Sequence, residues 1–410
     1  MPTPPPGFVS IPAFTRRSIL LLSCATFASM TTQRICDAML PELSRIFDAT
    51  IAQTAQVVSV FAIVYGLAQL FYGPLGDRYG KFRIVTFATL GCSIGSIVAA
   101  FADSLNFLIV ARIMVAICAA AVIPLSLAWI GDVVPYEQRQ ETLAKVGLGT
   151  TLGIVGGQLI GGLLTDTLGW RWAFVLMTLL YGVVGALLYS DWRKQQLCKP
   201  IVAHAATADR PGFAAEALMI MTGPWSRIVL LVACVEGAAG FGILAITASH
   251  LHQVLGLSLS MAGAIVALFG LGGMFYMVVA RHLIRRLGEQ GLTLIGGCVL
   301  GLSFIMLGLT PWWQLTPIAT MVAGFAFFML HNTMQANATQ MAPAARGTAV
   351  SLFASFLYLG QAIGVLLAAS LIARVGSGTV IAGGGGVLMA AGMFLSQMLR
   401  RRESLAWRAS

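Results

Sequence analysis

Gly73-Pro74-Leu75-Gly76-Asp77-Arg78-Tyr79-Gly80-Lys81-Phe82-Arg83 is the stretch on which the reading of the fold turns. It sets four basic or acidic kinds of contact, through Asp77, Arg78, Lys81 and Arg83, among glycines between two long apolar runs. Glycines let the chain turn tightly. Asp77 stands where a carboxylate accepts hydrogen bonds from helix-end N–H groups or from a neighbouring guanidinium. A compact basic segment joining two apolar spans belongs on the cytoplasmic side of a membrane.

The rest of the 410 residues agrees, with 58% hydrophobic and only 10% charged side chains. Soluble proteins carry roughly 25% charge, so disorder, a coiled coil and an ordinary water-soluble fold are excluded. Spanning a bilayer takes about 20 apolar residues per helix. Runs of that kind fall at about 18–46, 51–72, 84–102, 105–130, 142–165, 170–190, 226–249, 259–280, 291–310, 313–336, 348–372 and 378–399, which predicts twelve transmembrane helices. The first run is too long for a cleaved signal peptide and has no small-residue cleavage pattern after it.

The net charge of +10, from 25 basic and 15 acidic residues, sits in short clusters between the runs and does not point to a nucleic acid. With the N-terminus placed inside, the inner segments hold Arg16, Arg17, Arg78, Lys81, Arg83, Arg139, Lys145, Arg281, Arg285, Arg286, Arg346 and Arg400 to Arg402. The outer segments keep Arg45, Arg171 and Arg374. Both termini are therefore expected in the cytoplasm, with the inner bases near anionic lipid headgroups. Seven cysteines, most of them within apolar runs, form neither a disulfide framework nor a zinc spacing.

The longest connector, with Arg193, Lys194, Lys199, Pro200, Arg210, Pro211, Gly212, Pro224 and Arg227, divides the chain into six spans and six. The expected fold is an all-α integral membrane protein of two pseudo-symmetric six-helix bundles: residues 1–191, a cytoplasmic linker 192–225, and 226–410 with a cytoplasmic tail. Within the linker, Ala214 to Met221 is amphipathic and suited to lie along the interface.

The Gly73–Arg83 segment resembles the signature loop between the second and third helices of the major facilitator superfamily. That pattern is glycine, any residue, leucine, a small residue, aspartate, arginine, any residue, glycine, basic, any residue, basic. The resemblance implies a gating latch in which Gly73, Asp77, Arg78, Gly80, Lys81 and Arg83 take part, with Asp77 and Arg78 its principal members. Leu108 to Arg112 is similar to the family's buried-arginine motif, with Val115 and Ala116 where glutamine and glycine are usual. Gly149, Gly153, Gly157, Gly161 and Gly162 resemble the glycine motif of its antiporters, with Gln158 in place of the usual proline. Asp37-Ala38-Met39-Leu40-Pro41 resembles the first helix of the bacterial twelve-helix drug:proton antiporter branch, where an acid here takes part in proton coupling. These resemblances imply a bacterial inner-membrane location and efflux linked to multidrug resistance. Read without the family, Gly149, Gly153 and Gly157 recur every four residues and form a smooth stripe, suited to a rigid helix seam or to a hinge.

Arg34, Asp37, Arg112 and Glu236 lie well inside apolar runs, where a lipid-facing charge is costly, so each should face the interior and find a partner or change protonation. Asp37 and Arg112 fall at similar depths, which makes a direct or water-bridged pair feasible. Arg34 lies one turn from Asp37 on the same face. Asp37 is either the proton carrier or half of a static salt bridge, and Glu236 either recognises substrate or is a hydrogen-bonded packing residue. Phe61, Tyr65, Phe241, Phe325 and Tyr358 are candidate cavity walls, suited with an acid to an amphiphilic cation. His331, Asn332 and Gln335 are candidates for a polar route or an interhelical hydrogen-bond network; His250 and His252 have no carboxylate or cysteine partner that suggests a metal.

Neither a nucleophile–base–acid set nor a phosphate-cradling motif is present, so no enzymatic activity, ATP motor, cofactor or metal is expected. The sequence reading is proton-coupled export of small amphiphilic compounds by a functional monomer whose partners are substrate, protons and membrane lipid. A proton-coupled uptake symporter for an organic anion is the alternative within the class, since Arg34 and Arg112 offer carboxylate clamps. A membrane receptor or passive channel is the alternative outside it.

Overall fold

The computed structural model describes residues 13–198 and 213–409, and every regular element among them is helical. Lys199, Pro200, Arg210, Pro211 and Gly212 of the expected linker lie outside the described residues. The expected first span is two helices, α1 (Ala13–Arg34) and α2 (Leu40–Ile46). Pro41 explains the break, because it lacks an N–H and its ring collides with the carbonyl four residues back, that of Asp37. Turn bonds from Asp37 N–H to the Arg34 carbonyl (3.2 Å) and from Met39 N–H to the Cys36 carbonyl (3.1 Å) carry the chain across.

A single capped turn, α3 (Ile51–Thr54), follows. The Thr50 hydroxyl accepts from Gln53 N–H and the Gln53 side chain accepts from Thr50 N–H, at 3.2 and 2.8 Å. The next helix, α4 (Gln56–Tyr79), does not end near residue 72 as expected but runs on to Tyr79. Most of the Gly73–Arg83 segment is therefore helical, and the turn is Gly80, whose φ of +92° suits a residue without a Cβ. Then come α5 (Lys81–Ala100), α6 (Leu105–Val133), α7 (Tyr136–Thr167) and α8 (Trp170–Cys198).

Beyond the undescribed segment, α9 (Phe213–Thr222) packs against α10 (Pro224–Glu236) and α14 (Arg346–Val375), where its Glu216 accepts from the Thr348 hydroxyl at 2.7 Å. The path continues from α10 through a π-helical segment, Gly237–Gly242, into α11 (Ile243–Gln253). The remaining helices are α12 (Leu259–Leu309), α13 (Thr316–Gln340) and α15 (Ser377–Ala409).

Ten described segments are long and apolar enough to cross a membrane. They fall short of the twelve expected for two reasons. Polar α1, with Thr26, Ser29, Thr31, Thr32, Gln33 and Arg34, is not among them, and the expected spans 259–280 and 291–310 form one 51-residue element. That element is not straight, since Gly288 has φ +62° and ψ −179°. Gly324 packs on Phe269, while Gly296 packs on Ala326 and Met329. Phe269 and Gly296 would stand about 40 Å apart on one straight helix, yet they touch nearly the same turn of α13. The chain therefore folds back at Gly288.

Large apolar side chains point outward along the helices: Val278 is 81% exposed, Phe71 68%, Leu179 61% and Ile318 61%. In water such a surface would aggregate, whereas hydrocarbon solvates it. The chain is a multi-pass membrane protein.

Small residues set the internal distances. A Cβ on Gly149 would lie 2.7 Å from the Ser23 carbonyl, one on Gly153 2.6 Å from that of Phe27, and one on Gly157 2.7 Å from that of Thr31; Gly161 abuts Ile35. Steps of four along α7 match steps of four along α1, so the two helices run side by side in backbone contact. The glycine stripe is thus a packed seam. Contacts between the earlier and later helices run along α7–α12 and α4–α14. At one end of the α7–α12 seam, Asp166 accepts from both Leu259 N–H (3.3 Å) and Ser260 N–H (2.5 Å), capping α12 across the interface. Nothing in the sequence singled out Asp166, an ordinary acid near a helix end.

Gly153→Ala should lower stability by about 1–3 kcal/mol, because the new methyl meets backbone that has little room to move. Gly147→Ala, whose Cβ would find nothing within 4 Å, should be neutral or stabilising by up to about 1 kcal/mol. Thermal unfolding of the two variants in lipid nanodiscs checks the contrast.

Candidate functional site

Asp37 sits in the turn between α1 and α2, where the Pro41 break exposes backbone polar groups in the middle of the protein. Its Oδ2 is 3.7 Å from Arg34 Nη1 and accepts from Gln158 Nε2 at 2.8 Å; all three side chains are buried. Gln158 entered the sequence reading only as a departure from a glycine motif. The structure makes it the nearest hydrogen-bond donor to Asp37, and the signal was present: a lone amide side chain beside a glycine stripe that brings α1 close.

Arg112 does not pair directly with Asp37. Its Nη1 donates to the Thr32 carbonyl at 2.9 Å, and its guanidinium lies over Phe61, 4.0 Å from the ring centroid. The last carbonyls of a helix lack intrahelical donors, and the Pro41 break creates such an end at α1. A guanidinium there satisfies a carbonyl and opposes the negative end of the helix dipole. Depth along the helix, which the sequence gives, did not reveal this competing acceptor.

Arg34 lies over Phe241 of the π segment at 4.1 Å, so a cation from an early helix rests on an aromatic face from a later one. Tyr65 meets Tyr358 edge to face at 4.6 Å and stacks loosely on Phe61 at 6.0 Å. The Ser355 hydroxyl donates to the Gly66 carbonyl at 2.7 Å beside them. Phe61, Tyr65, Phe241 and Tyr358 therefore gather around the two guanidinium groups. Phe325 does not join them: it packs on Phe275 and Tyr276, both at 5.7 Å. Phe327 contacts Phe241 at 4.8 Å instead. Two residues along a helix rotate a side chain by about 200°, so a choice between Phe325 and Phe327 decides which face is used.

Glu236 is the last residue of α10 before the π segment. It is buried, and its Oε2 is 3.2 Å from His331 Nδ1. The imidazole stacks on Phe327 with centroids 5.3 Å apart. The sequence reading had assigned His331 no acidic partner. Asn332 is half-buried and Gln335 exposed, so the row of polar residues does not act as one face; Asn337 turns to Glu289, donating at 2.9 Å. His250 and His252 are bound to Ser377 and to the Leu257 carbonyl, at 2.8 and 2.7 Å.

At the α4–α5 turn, Lys81 joins Asp132 of α6 at 2.6 Å and Asp77 at 3.5 Å, while Arg78 lies over Tyr79 at 5.2 Å. Asp132 was not among the expected gate residues. Arg83 lies over Trp192 at 5.7 Å. Gly73, Pro74 and Asp77 line a cavity of about 330 Å³ with Glu216, Arg346 and Thr348, between the end of α4, α9 and the start of α14.

An apolar outer surface enclosing buried charges at two helix breaks and aromatic rings from early and late helices marks a multi-pass membrane protein with a polar interior. The chain belongs to the Major Facilitator Superfamily, whose profile matches residues 22–365. It is similar to the putative multidrug resistance protein MdtD of Salmonella typhimurium, at 22% identity over 89% of this chain and 88% of that one. It is also similar to the multidrug export protein EmrB of Haemophilus influenzae, at 28% identity over 38% of this chain and 31% of that protein. The fold matches a bacterial homologue of the human lysosomal transporter Spinster, in an inward-facing and occupied conformation, with a TM-score of 0.73. That match has 18% identity and covers 95% of this chain and 98% of the other. The protein is a transporter and not an enzyme.

Arg112→Lys keeps the charge but loses the planar face over Phe61 and the reach to Thr32. Unfolding stability should drop by roughly 1–2 kcal/mol. Chemical denaturation followed by tryptophan fluorescence measures it, and an unchanged midpoint would mean the guanidinium contacts do not hold α1 to α6.

Proposed function

We propose that this transporter exports small amphiphilic organic compounds in exchange for protons by alternating access. The observation that carries the reading is Asp37: a buried carboxylate at a helix break, held by Arg34 and Gln158, beside aromatic walls drawn from both sides of the α4–α14 seam. A carboxylate in such surroundings changes its desolvation cost with its charge state, so its proton and a bound substrate influence each other. Relatives named for multidrug resistance and export support the substrate class.

In this reading the chain makes twelve crossings, with α1–α2 as one and α12 as two. Residues 1–191 and 226–410 form two six-helix bundles that rock about the central site. The basic segments place both termini and the α4–α5 turn on the cytoplasmic side of a bacterial inner membrane. Lys81, Asp77 and Asp132 then brace the inner gate, and Glu236 with His331 supplies a second acid–base pair. One chain is sufficient as the working unit.

Uptake of an organic anion with protons is the second reading. It is favoured by Arg34 and Arg112, two guanidinium groups close to the single carboxylate of Asp37. Purified protein in liposomes with an imposed pH gradient separates the two, with ethidium and anilinonaphthalene sulfonate as cationic and anionic amphiphilic probes. Export requires the probe to move against the proton flux, whereas symport requires both to move together. Asp37→Asn should abolish gradient-driven accumulation while leaving saturable counterflow of the probe; accumulation that survives this change would remove Asp37 from the coupling step. Glu236→Gln should weaken binding of ethidium more than that of a neutral amphiphile, and equal effects on both would exclude charge recognition by Glu236.

A further inference from the structure

Gln158 lies between two packed faces of α7. At about 100° per residue, Gly157 and Gly161 share one side of the helix, while Gly162 and Asp166 share a side rotated from it by about 140°. The first side carries α1, with Gly157 against Arg34 and Gly161 against Ile35. The second carries α12, with Gly162 against Leu259 and Asp166 capping Leu259 and Ser260. Gln158 points between them and touches both helices. Its Nε2 donates to Asp37 at 2.8 Å, and its backbone carbonyl abuts Gly263 of α12 with no side chain intervening. One residue, Gln158, thus reaches from Asp37 to the α7–α12 seam.

We propose that Gln158 is a positioning residue for the proton step, linking the state of the α7–α12 seam to the charge of Asp37. This rests on the reading of Asp37 as the proton carrier. While α7 and α12 are pressed together, the seam fixes the Gln158 backbone and its amide N–H stays on the Asp37 carboxylate. A donor bonded to the charged form favours that form. When α12 moves away from Gly162 and Gln158, the backbone of Gln158 loses its support on that side, the amide leaves Oδ2, and Asp37 takes a proton more readily. The other charged groups acting on Asp37 are Arg34 on its own segment and Arg112 from α6. Arg112 is fixed to Thr32 and Arg34 lies over Phe241 of the π segment, so the amide is the group that joins Asp37 to α7 and its seam with α12.

The test reads Asp37 itself. Purified protein is reconstituted in lipid without substrate, and the C=O band of its protonated carboxyl is followed by infrared difference spectroscopy across pH, with Asp37→Asn identifying the band. Gln158→Met keeps the length and flexibility of the side chain but has no N–H. It should move the Asp37 midpoint upward by about one pH unit, the size of one lost hydrogen bond to a charged group. Asp166→Ala, which loosens the seam from a position away from Asp37, should also move the midpoint upward, and should add little in a Gln158→Met background. An unmoved midpoint in Gln158→Met would overturn the proposal. So would an Asp166→Ala shift that persists at full size without Gln158, since the seam would then act by another route. A band indifferent to Asp37→Asn would overturn the carrier reading and this inference with it, whereas a clear Asp37 band with no response to Gln158 would overturn the inference alone.

Discussion

Charge buried in a nonpolar interior is the constraint on which the centre of this protein depends. Bringing an ion out of water costs several kcal/mol even after relaxation, and an ion pair recovers that cost only with good geometry and further hydrogen bonds. At 3.7 Å, the Arg34–Asp37 pair is not close enough to do so alone. The amide of Gln158, the faces of Phe241 and Phe61, and the Thr32 carbonyl add to it, while Asp37 Oδ1 and the Arg34 guanidinium nitrogens have no hydrogen-bond partner. Two of these partners are available because a helix is interrupted nearby. Pro41 ends α1 and frees carbonyls for a guanidinium, and the π segment after Glu236 carries Phe241 to Arg34. Irregular backbone at this depth is tolerable only where protein, and not lipid, surrounds it.

The glycines are the second condition. Gln158 reaches Asp37 because α7 and α1 approach to backbone contact at Gly153, Gly157 and Gly161. The later helices repeat the device: Gly237, Gly360 and Gly364 let the α10–π–α11 path and α14 press together, next to Glu236 and Tyr358. Lipid gives no hydrophobic drive for helices to associate, so close van der Waals contact and hydrogen bonds across small residues must hold them. In both places an acid lies within one turn of the closest approach. Packing and charge placement are therefore a single requirement, since a side chain larger than hydrogen on the stripe would push the polar partners out of reach.

Much of this was legible from residue type and spacing. Charged residues in apolar runs announced the centre, the Gly73–Arg83 segment announced the family, and the four-residue glycine repeat announced a close helix pair. What escaped was rotation and competition between partners. Phe325 was chosen where Phe327 faces the centre, because nothing in the sequence fixes which side of α13 points inward. Arg112 was placed opposite Asp37 by depth, although the carbonyls freed by Pro41 compete for it. The expected loop at residue 73 proved to be helix as far as Tyr79, since the only residue there with a positive φ is Gly80. Lys81–Asp132 and Asp166 with the start of α12 join residues far apart in sequence, and isolated acids near helix ends carry no mark of their partners.

The two buried acids differ in a way that bears on coupling. Both stand at a break in a helix, Asp37 just after α1 and Glu236 at the end of α10, but their bases differ in kind. Protonating Asp37 leaves the Arg34 guanidinium, 3.7 Å away, with less compensation than before. Glu236 instead faces an imidazole, that of His331, 3.2 Å away and stacked on Phe327. Under the proposed exchange, a proton on Asp37 changes the net charge of its surroundings, and a charged substrate feels that change. Within the proposed exchange, Asp37, held by Arg34 and the Gln158 amide, is therefore the carboxylate whose charge bears on a cation.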